Sequence, residues 1–108
     1  MDDQLKGTAD LVEVRLSMGD DPTVPREVDH SARFRRRRQA DAAAAELSGL
    51  GYGATVERDR LRLVLEVTHV TTVDLETAQR FTVEVVSVVE RHGGTYDGWG
   101  AMIEERHP

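Results

Sequence analysis

The chain has 108 residues, of which 39% are hydrophobic and 31% charged, and its 14 basic and 20 acidic residues give a net charge of -6. This size and composition fit one soluble globular domain, and the acidic balance is unlike that of a nucleic-acid-binding protein, whose affinity comes largely from Lys and Arg. The sequence contains no cysteine, which excludes disulfides and cysteine-ligated zinc.

The N-terminus gives no sign of export or of membrane insertion. Met1, Asp2 and Asp3 are not followed by the apolar run of a secretory signal. No apolar stretch approaches the ~18 residues that are needed to span a bilayer. We therefore expect a cytoplasmic protein that makes no contact with a membrane.

Residues 1–24 are predicted to form an N-terminal helical extension packed on the domain, although two periodicities compete in this segment. Val12, Val14 and Leu16 alternate as in a strand. The helical stripe, which we prefer, consists of Leu5, Leu11, Val14 and Met18. Residues 19–22, Gly-Asp-Asp-Pro, end the element under either interpretation, because they combine a C-cap glycine with turn formers.

A strand over residues 25–34 and a helix over residues 39–50 are predicted next. The residues of the strand that would share a face are Val28, His30, Ala32 and Phe34. The helix is rich in alanine, and its residues at three-to-four spacing are Ala40, Ala43, Ala44, Leu47 and Leu50.

The second half of the chain predicts a hairpin, a helix and a last strand. Residues 51–57 and 61–70 alternate as strands around a polar turn at 58–60, and the apolar face of the second strand would hold Leu61, Leu63, Leu65 and Val67. Asp74 can cap a helix that runs to His92. Its valine-rich part also suits a strand, but the long helical pattern ends in two glycines, which favours a helix. A final strand covers residues 95–104.

This order of elements predicts an α+β fold. Residues 25–108 would form a ferredoxin-like βαββαβ domain, an antiparallel four-stranded sheet with two helices on one face. The helix of residues 1–24 is an addition to that arrangement.

The most unusual stretch is residues 96–100, Tyr-Asp-Gly-Trp-Gly, which holds the only tryptophan. One interpretation is structural: Trp99 packs in the core and Asp97 secures a turn. The other makes Tyr96 and Trp99 anchors for a protein partner, because these residue types dominate interface hot spots.

A run of arginines follows the first predicted strand. It comprises Arg33, Arg35, Arg36, Arg37 and Arg38. Such runs are usually solvated surface, but cations at a helix N-terminus oppose the helix dipole, which favours contact with an anionic partner. RNA or an acidic protein segment would both provide one.

No motif in the chain predicts catalysis, a cofactor or a metal. The four histidines, His30, His69, His92 and His107, do not have metal-ligand spacing. The serines lie outside any nucleophile elbow. The strand at residues 61–70 has no aromatic residue, so an RNA-stacking platform and direct RNA binding are not expected.

Residues 96–100 resemble the closing motif of the RraB family, which regulates ribonuclease E activity in bacteria. Residues 19–22 are similar to the Gly-x-Asp-Pro turn of that family, residues 28–30 to its first strand, and residues 50–52, Leu-Gly-Tyr, to the start of its second strand. The resemblance covers residues 10–104. It implies a non-enzymatic inhibitor that binds an RNase E-type endoribonuclease and so alters RNA degradation.

The sequence therefore predicts a protein-binding regulator with no catalytic residue, cofactor or metal. Its partner-binding candidates are Tyr96, Asp97, Trp99, Arg35, Arg36, Arg37 and Arg38. The alternative is a small-molecule-sensing ferredoxin-like domain, which would work as a dimer, and the protein-binding interpretation also allows a homo-oligomer.

Overall fold

A computed structural model describes residues 1–105 of the chain. Its elements are α1 (Asp2–Ser17), β1 (Arg26–Phe34), α2 (Arg37–Gly49), β2 (Gly53–Asp59), β3 (Arg62–Thr71), α3 (Leu75–Arg91) and β4 (Thr95–Ala101). The predicted end of the domain at residue 108 and the fourth histidine, His107, lie outside the described residues.

The four strands form one antiparallel sheet in the order β2-β3-β1-β4. The predicted α+β class and four-stranded antiparallel sheet are thus confirmed. The connection from β1 to β2 passes through α2 and skips β3, and the connection from β3 to β4 passes through α3 and skips β1. The main core lies between one face of the sheet and these two helices.

The strand β1 presents alternate residues to the helices, as its pattern predicted. Val28, His30, Ala32 and Phe34 are all buried. Arg26 lies on the same face and is also buried, although the sequence indicated only a polar position. Its burial is possible because its guanidinium pairs with Asp20 and donates to the carbonyls of Asp21, Val24 and Met102.

The helix α2 begins two residues before its predicted start and includes Arg37 and Arg38 in its first turn. The predicted alanine face is buried at Ala40, Ala43 and Leu47. Leu50, however, lies beyond the end of the helix and is exposed. No side chain caps the N-terminus, and the first turn holds no acidic residue.

The β2–β3 hairpin differs from its prediction at the turn. β2 extends to Asp59, which pairs with Arg62, so the loop contains only Arg60 and Leu61. Leu61 was expected on the apolar face of the strand, but it stands at the tip with 93% of its surface exposed. That expectation was wrong because the turn begins two residues later than the charged triplet suggested.

The helix α3 forms where its valines also allowed a strand. Asp74 accepts a hydrogen bond from the backbone N–H of Thr77, which confirms the predicted cap. The buried face is almost entirely apolar: Ala78, Phe81, Thr82, Val85, Val86, Val88 and Val89. Packing of this face on the sheet outweighs the local strand preference of valine.

Strand β4 ends at Ala101, three residues before the predicted end. The carbonyls of Ala101 and Met102 accept hydrogen bonds from the Arg15 guanidinium, at 2.8 and 2.7 Å. These carbonyls are therefore occupied by a side chain of α1, and the regular ladder stops.

Residues 2–17 are helical, as preferred, but the predicted contact stripe was wrong in part. Val14 and Met18 are exposed, and the buried residues of α1 are Thr8, Val12 and Arg15. The helix packs against α3, and two of its three buried side chains make polar contacts there and with β4. Hydrophobic periodicity cannot identify such a stripe. Within residues 1–105, no helix has both the length and the apolar character to cross a membrane.

Candidate functional site

The Tyr-Asp-Gly-Trp-Gly stretch forms a β-bulge in β4. Ser31 of β1 pairs with Gly98, but its neighbour Ala32 pairs with Tyr96, so Asp97 is an extra residue. Gly98 has φ +128, a conformation that L side chains rarely adopt. In a regular strand, positions 96 and 99 would face opposite sides of the sheet. The bulge turns both rings to the helix-covered face.

Trp99 connects the N-terminal helix to the sheet. Its half-buried ring meets the ring of Phe81 edge to face, with centroids 5.1 Å apart. The Arg15 guanidinium lies 5.7 Å from the centre of the indole ring. The indole therefore packs between α1, α3 and the sheet, which is the structural role considered from the sequence.

A directional chain of hydrogen bonds continues from the indole. Trp99 Nε1 donates to Thr8 Oγ1 at 3.2 Å, and Thr82 Oγ1 donates to the carbonyl of Ala78 at 2.7 Å. Thr8 and Thr82 are buried with their hydroxyls 2.7 Å apart, so Thr8 donates to Thr82 to complete the chain. Each buried hydroxyl is thereby satisfied.

Tyr96 belongs to a buried polar cluster with two histidines. Its hydroxyl lies 2.8 Å from His30 Nδ1, and His30 Nε2 lies 2.9 Å from His69 Nε2. Burial, and secondly the neighbouring His69, lower the pKa of His30 to about 3. Burial also lowers the pKa of His69. Both imidazoles are therefore neutral at pH 7.

His69 opens onto a groove of about 610 Å³ beside α3. Tyr52 and Glu84 also line this groove, and the Tyr52 hydroxyl donates to Glu84 at 2.7 Å. Burial, together with the Glu84 carboxylate, raises the pKa of Tyr52 above its usual value. The groove therefore presents neutral hydrogen-bonding groups beside one carboxylate, that of Glu84, and one guanidinium, that of Arg80.

The buried histidine cluster predicts sensitivity to acid. Because the pKa of His30 is lowered on folding, the unfolded chain binds the extra proton between about pH 6.5 and 3. The free energy of unfolding should therefore fall as the pH decreases through this window, by about 1.4 kcal/mol per pH unit for one such proton. Urea unfolding at a series of pH values measures the slope. His30→Gln should flatten it, and an unchanged slope in that variant would contradict the assignment.

A second buried cluster joins α1, the turn after it, β1 and the C-terminal segment. Asp20 is paired with both Arg26 and Arg15, and the three side chains are almost fully buried. Asp20 also accepts the backbone N–H of Glu104 at 2.9 Å. Although burial raises the pKa of this carboxyl, the hydrogen bond and charge of Arg26 bring it below the usual value. The sequence indicated only a turn here, because the three residues are not arranged in any local motif.

The predicted arginine run lies at one end of the sheet, where the fold adds the arginines of the β2–β3 hairpin. Arg33, Arg35, Leu61 and Arg62 line a common recess of about 390 Å³. We call this surface the basic end. Its cationic residues are Arg33, Arg35, Arg36, Arg37, Arg38, Arg58, Arg60 and Arg62.

One ion pair links the predicted site residue Asp97 to Arg33, the first member of the arginine run. Arg33 Nε donates to both carboxylate oxygens of Asp97 at 3.0 Å on the exposed side of the sheet. Tyr96 is buried and Trp99 half-buried on the opposite face. That these residues bind a partner remains a prediction. Among residues 1–105, no group of three or more His, Asp or Glu side chains is arranged to hold a metal ion.

Comparison with known proteins identifies a family for the chain. A sequence model of the family described as "Regulator of ribonuclease activity B" (RraB) matches residues 6–101. A protein of that name from Xenorhabdus nematophila is 25% identical over 111 residues, which is 97% of this chain and 79% of the relative. The match covers most of α1, the whole sheet and both crossover helices, and the chain therefore belongs to the RraB family.

Proposed function

We propose that this chain is a non-catalytic regulator that restrains an RNase E-type endoribonuclease by direct protein–protein contact. The family match over residues 6–101 carries the proposal, because the family is named for regulation of ribonuclease activity. The relative from Xenorhabdus nematophila has the same name. Regulation of this kind needs a complementary surface and no reactive group on the regulator.

The exposed residues of the basic end supply such a surface. Arg35, Arg36 and Arg38 are exposed and form no ion pair with any residue that the structure describes. Asp97 lies beside them in its pair with Arg33. In this proposal the charged residues touch the partner, while Tyr96 and Trp99 hold β4 in place behind them.

We also propose a fold class and a cellular location for this protein. We assign the domain to the ferredoxin-like class, which is supported by two crossovers that each skip one strand of the antiparallel sheet. The chain would act in the cytoplasm, where its ribonuclease works. Direct RNA binding is not part of the proposal, because the net charge is -6.

Complex formation in the absence of RNA tests this function. The purified chain and an RNase E-type endoribonuclease, both freed of nucleic acid, should form a complex in light scattering coupled to gel filtration. The triple variant Arg35→Gln, Arg36→Gln, Arg38→Gln should weaken the complex, whereas Arg80→Gln, an exposed arginine on α3, should not. Failure of the wild-type chain to bind at about 100 μM, which corresponds to a binding free energy of only about −5.5 kcal/mol, would refute the proposal.

A further inference from the structure

The basic end concentrates more than half of the 14 basic residues of an acidic chain on one surface. Two of its arginines are neutralised, Arg33 by Asp97 and Arg37 by Asp41. The others form no ion pair with residues 1–105; they are Arg35, Arg36, Arg38, Arg58, Arg60 and Arg62. Mutual repulsion among unpaired cations destabilises the folded chain, and an anionic partner would relieve it.

The tip of the β2–β3 hairpin carries a left-handed arginine and an exposed leucine. Arg60 has φ 58, a left-handed conformation in which glycine would be free of strain. Leu61, beside it, is 93% exposed and gains nothing from burial. The left-handed residue closes the two-residue turn, and the turn holds the leucine out in solvent, where its side chain is accessible to a partner.

The recess below this tip combines positive charge with apolar surface. It has a volume of about 390 Å³, and Arg35 and Arg62 line it together with Leu61 and the buried Phe34. Guanidinium groups bind carboxylates through paired, charge-assisted hydrogen bonds. The rim of the recess therefore suits carboxylates, and the tip suits an apolar side chain close to them.

We propose that the basic end binds an acidic protein segment in which carboxylates flank an apolar side chain. The carboxylates pair with the free guanidiniums of Arg35, Arg60 and Arg62, and the apolar side chain covers Leu61. The identity of the protein rests on the proposed function: the segment belongs to the regulated ribonuclease or to a protein bound to it. The acidic and apolar character of the segment is inferred from the residues of the basic end alone.

An acidic protein segment fits this surface better than RNA does. Leu61 offers an apolar contact that phosphates cannot use, and Phe34, the aromatic ring at the recess, is too buried to stack on a base. The open face of the sheet beside the basic end holds Asp29, Glu57 and Glu66. Burial, and then the charges of Asp29 and Glu57, raise the pKa of Glu66. These carboxylates would repel a nucleic-acid strand that continued across the sheet.

Fluorescence anisotropy with the full chain tests the proposal through three labelled probes. The probes are a short peptide rich in glutamate and leucine, a glutamate-only peptide of equal charge, and an oligouridylate of equal charge. The wild-type chain should bind the glutamate–leucine peptide most tightly, and added salt should weaken this binding. Arg60→Gln combined with Arg62→Gln should weaken it about tenfold. Lys6→Gln combined with Arg80→Gln removes equal charge elsewhere and should leave it unchanged.

Single changes at the hairpin tip separate binding from folding. Leu61→Asn should reduce the preference for the glutamate–leucine peptide over the glutamate-only peptide. Arg60→Gly should keep or raise the midpoint of thermal unfolding while it weakens peptide binding. Tighter binding of the oligouridylate, or equal losses in the two double variants, would overturn the proposal. A chain that binds the peptide but not the ribonuclease would support the surface and refute the proposed function.

Discussion

Replacing Trp99 with alanine should lower the free energy of unfolding by about 3 kcal/mol, near the range measured for large-to-small changes in cores. The variant loses the edge-to-face contact with Phe81 and the hydrogen bond to Thr8. It also leaves a cavity where the indole packs between the Arg15 guanidinium and the Phe81 ring. Urea denaturation measures the loss.

Trp99→Phe is the matched control for this change. It keeps an aromatic ring on Phe81 but removes the indole N–H, so it should cost only about 1 kcal/mol. Hydrogen exchange should show that α1 opens more readily in the alanine variant than α2 does, since the indole connects α1 to β4. A loss below about 1 kcal/mol for Trp99→Ala would mean that the indole serves binding rather than folding.

Asp20→Asn should destabilise the chain by about 3–5 kcal/mol, the range found when one partner of a buried ion pair is removed. The change keeps the shape of the side chain but leaves the guanidiniums of Arg15 and Arg26 buried without a negative charge. The C-terminal segment should loosen at the same time, because Asp20 accepts the backbone N–H of Glu104. Chemical denaturation at neutral pH gives the size of the effect.

The pKa of Asp20 also fixes the sign of its pH dependence. Since this pKa is lower in the folded chain than in the unfolded one, the carboxylate stabilises the fold at pH values above the ordinary pKa of aspartate. That contribution is lost as the pH falls through the pKa that Asp20 has in the folded chain.

Asp97→Asn is the control for Asp20→Asn. It removes a partly exposed pair with Arg33 and should lower the free energy of unfolding by less than about 1 kcal/mol. Equal effects of the two changes would refute the special role of the buried cluster.

Elements whose burial follows one simple period could be predicted from the sequence. The faces of β1 and α3 are regular because each element buries one side along its whole length, a side that is almost entirely apolar in α3 and also includes Arg26 and His30 in β1. The Asp74 cap was predictable for the same reason, since it depends on residues three positions apart. Periodicity and capping patterns therefore predict the elements whose conformation depends on residues close together in the sequence.

The parts that were missed depend on contacts between distant segments. The stripe of α1 combines Thr8 and Arg15 with a single valine, and its partners are as far along the chain as Thr82 and Ala101. The bulge at Asp97 adds one unpaired residue to β4, so Trp99 lies on the same face of the sheet as Tyr96. A pattern of alternating residues in the sequence does not indicate where such a bulge occurs. No spacing rule indicates that Arg35 meets Arg62 at one recess, because the strand order brings them together.

One titration tests the central claim that this protein regulates a ribonuclease by touching the enzyme rather than its substrate. A fixed amount of RNase E-type endoribonuclease cleaves a fluorogenic RNA, supplied in large excess, while increasing amounts of the chain are added. Our account predicts that cleavage slows and levels off at a fixed ratio of chain to enzyme, whatever the RNA concentration. Inhibition that scales with the amount of RNA, or no inhibition at saturating chain, would contradict it.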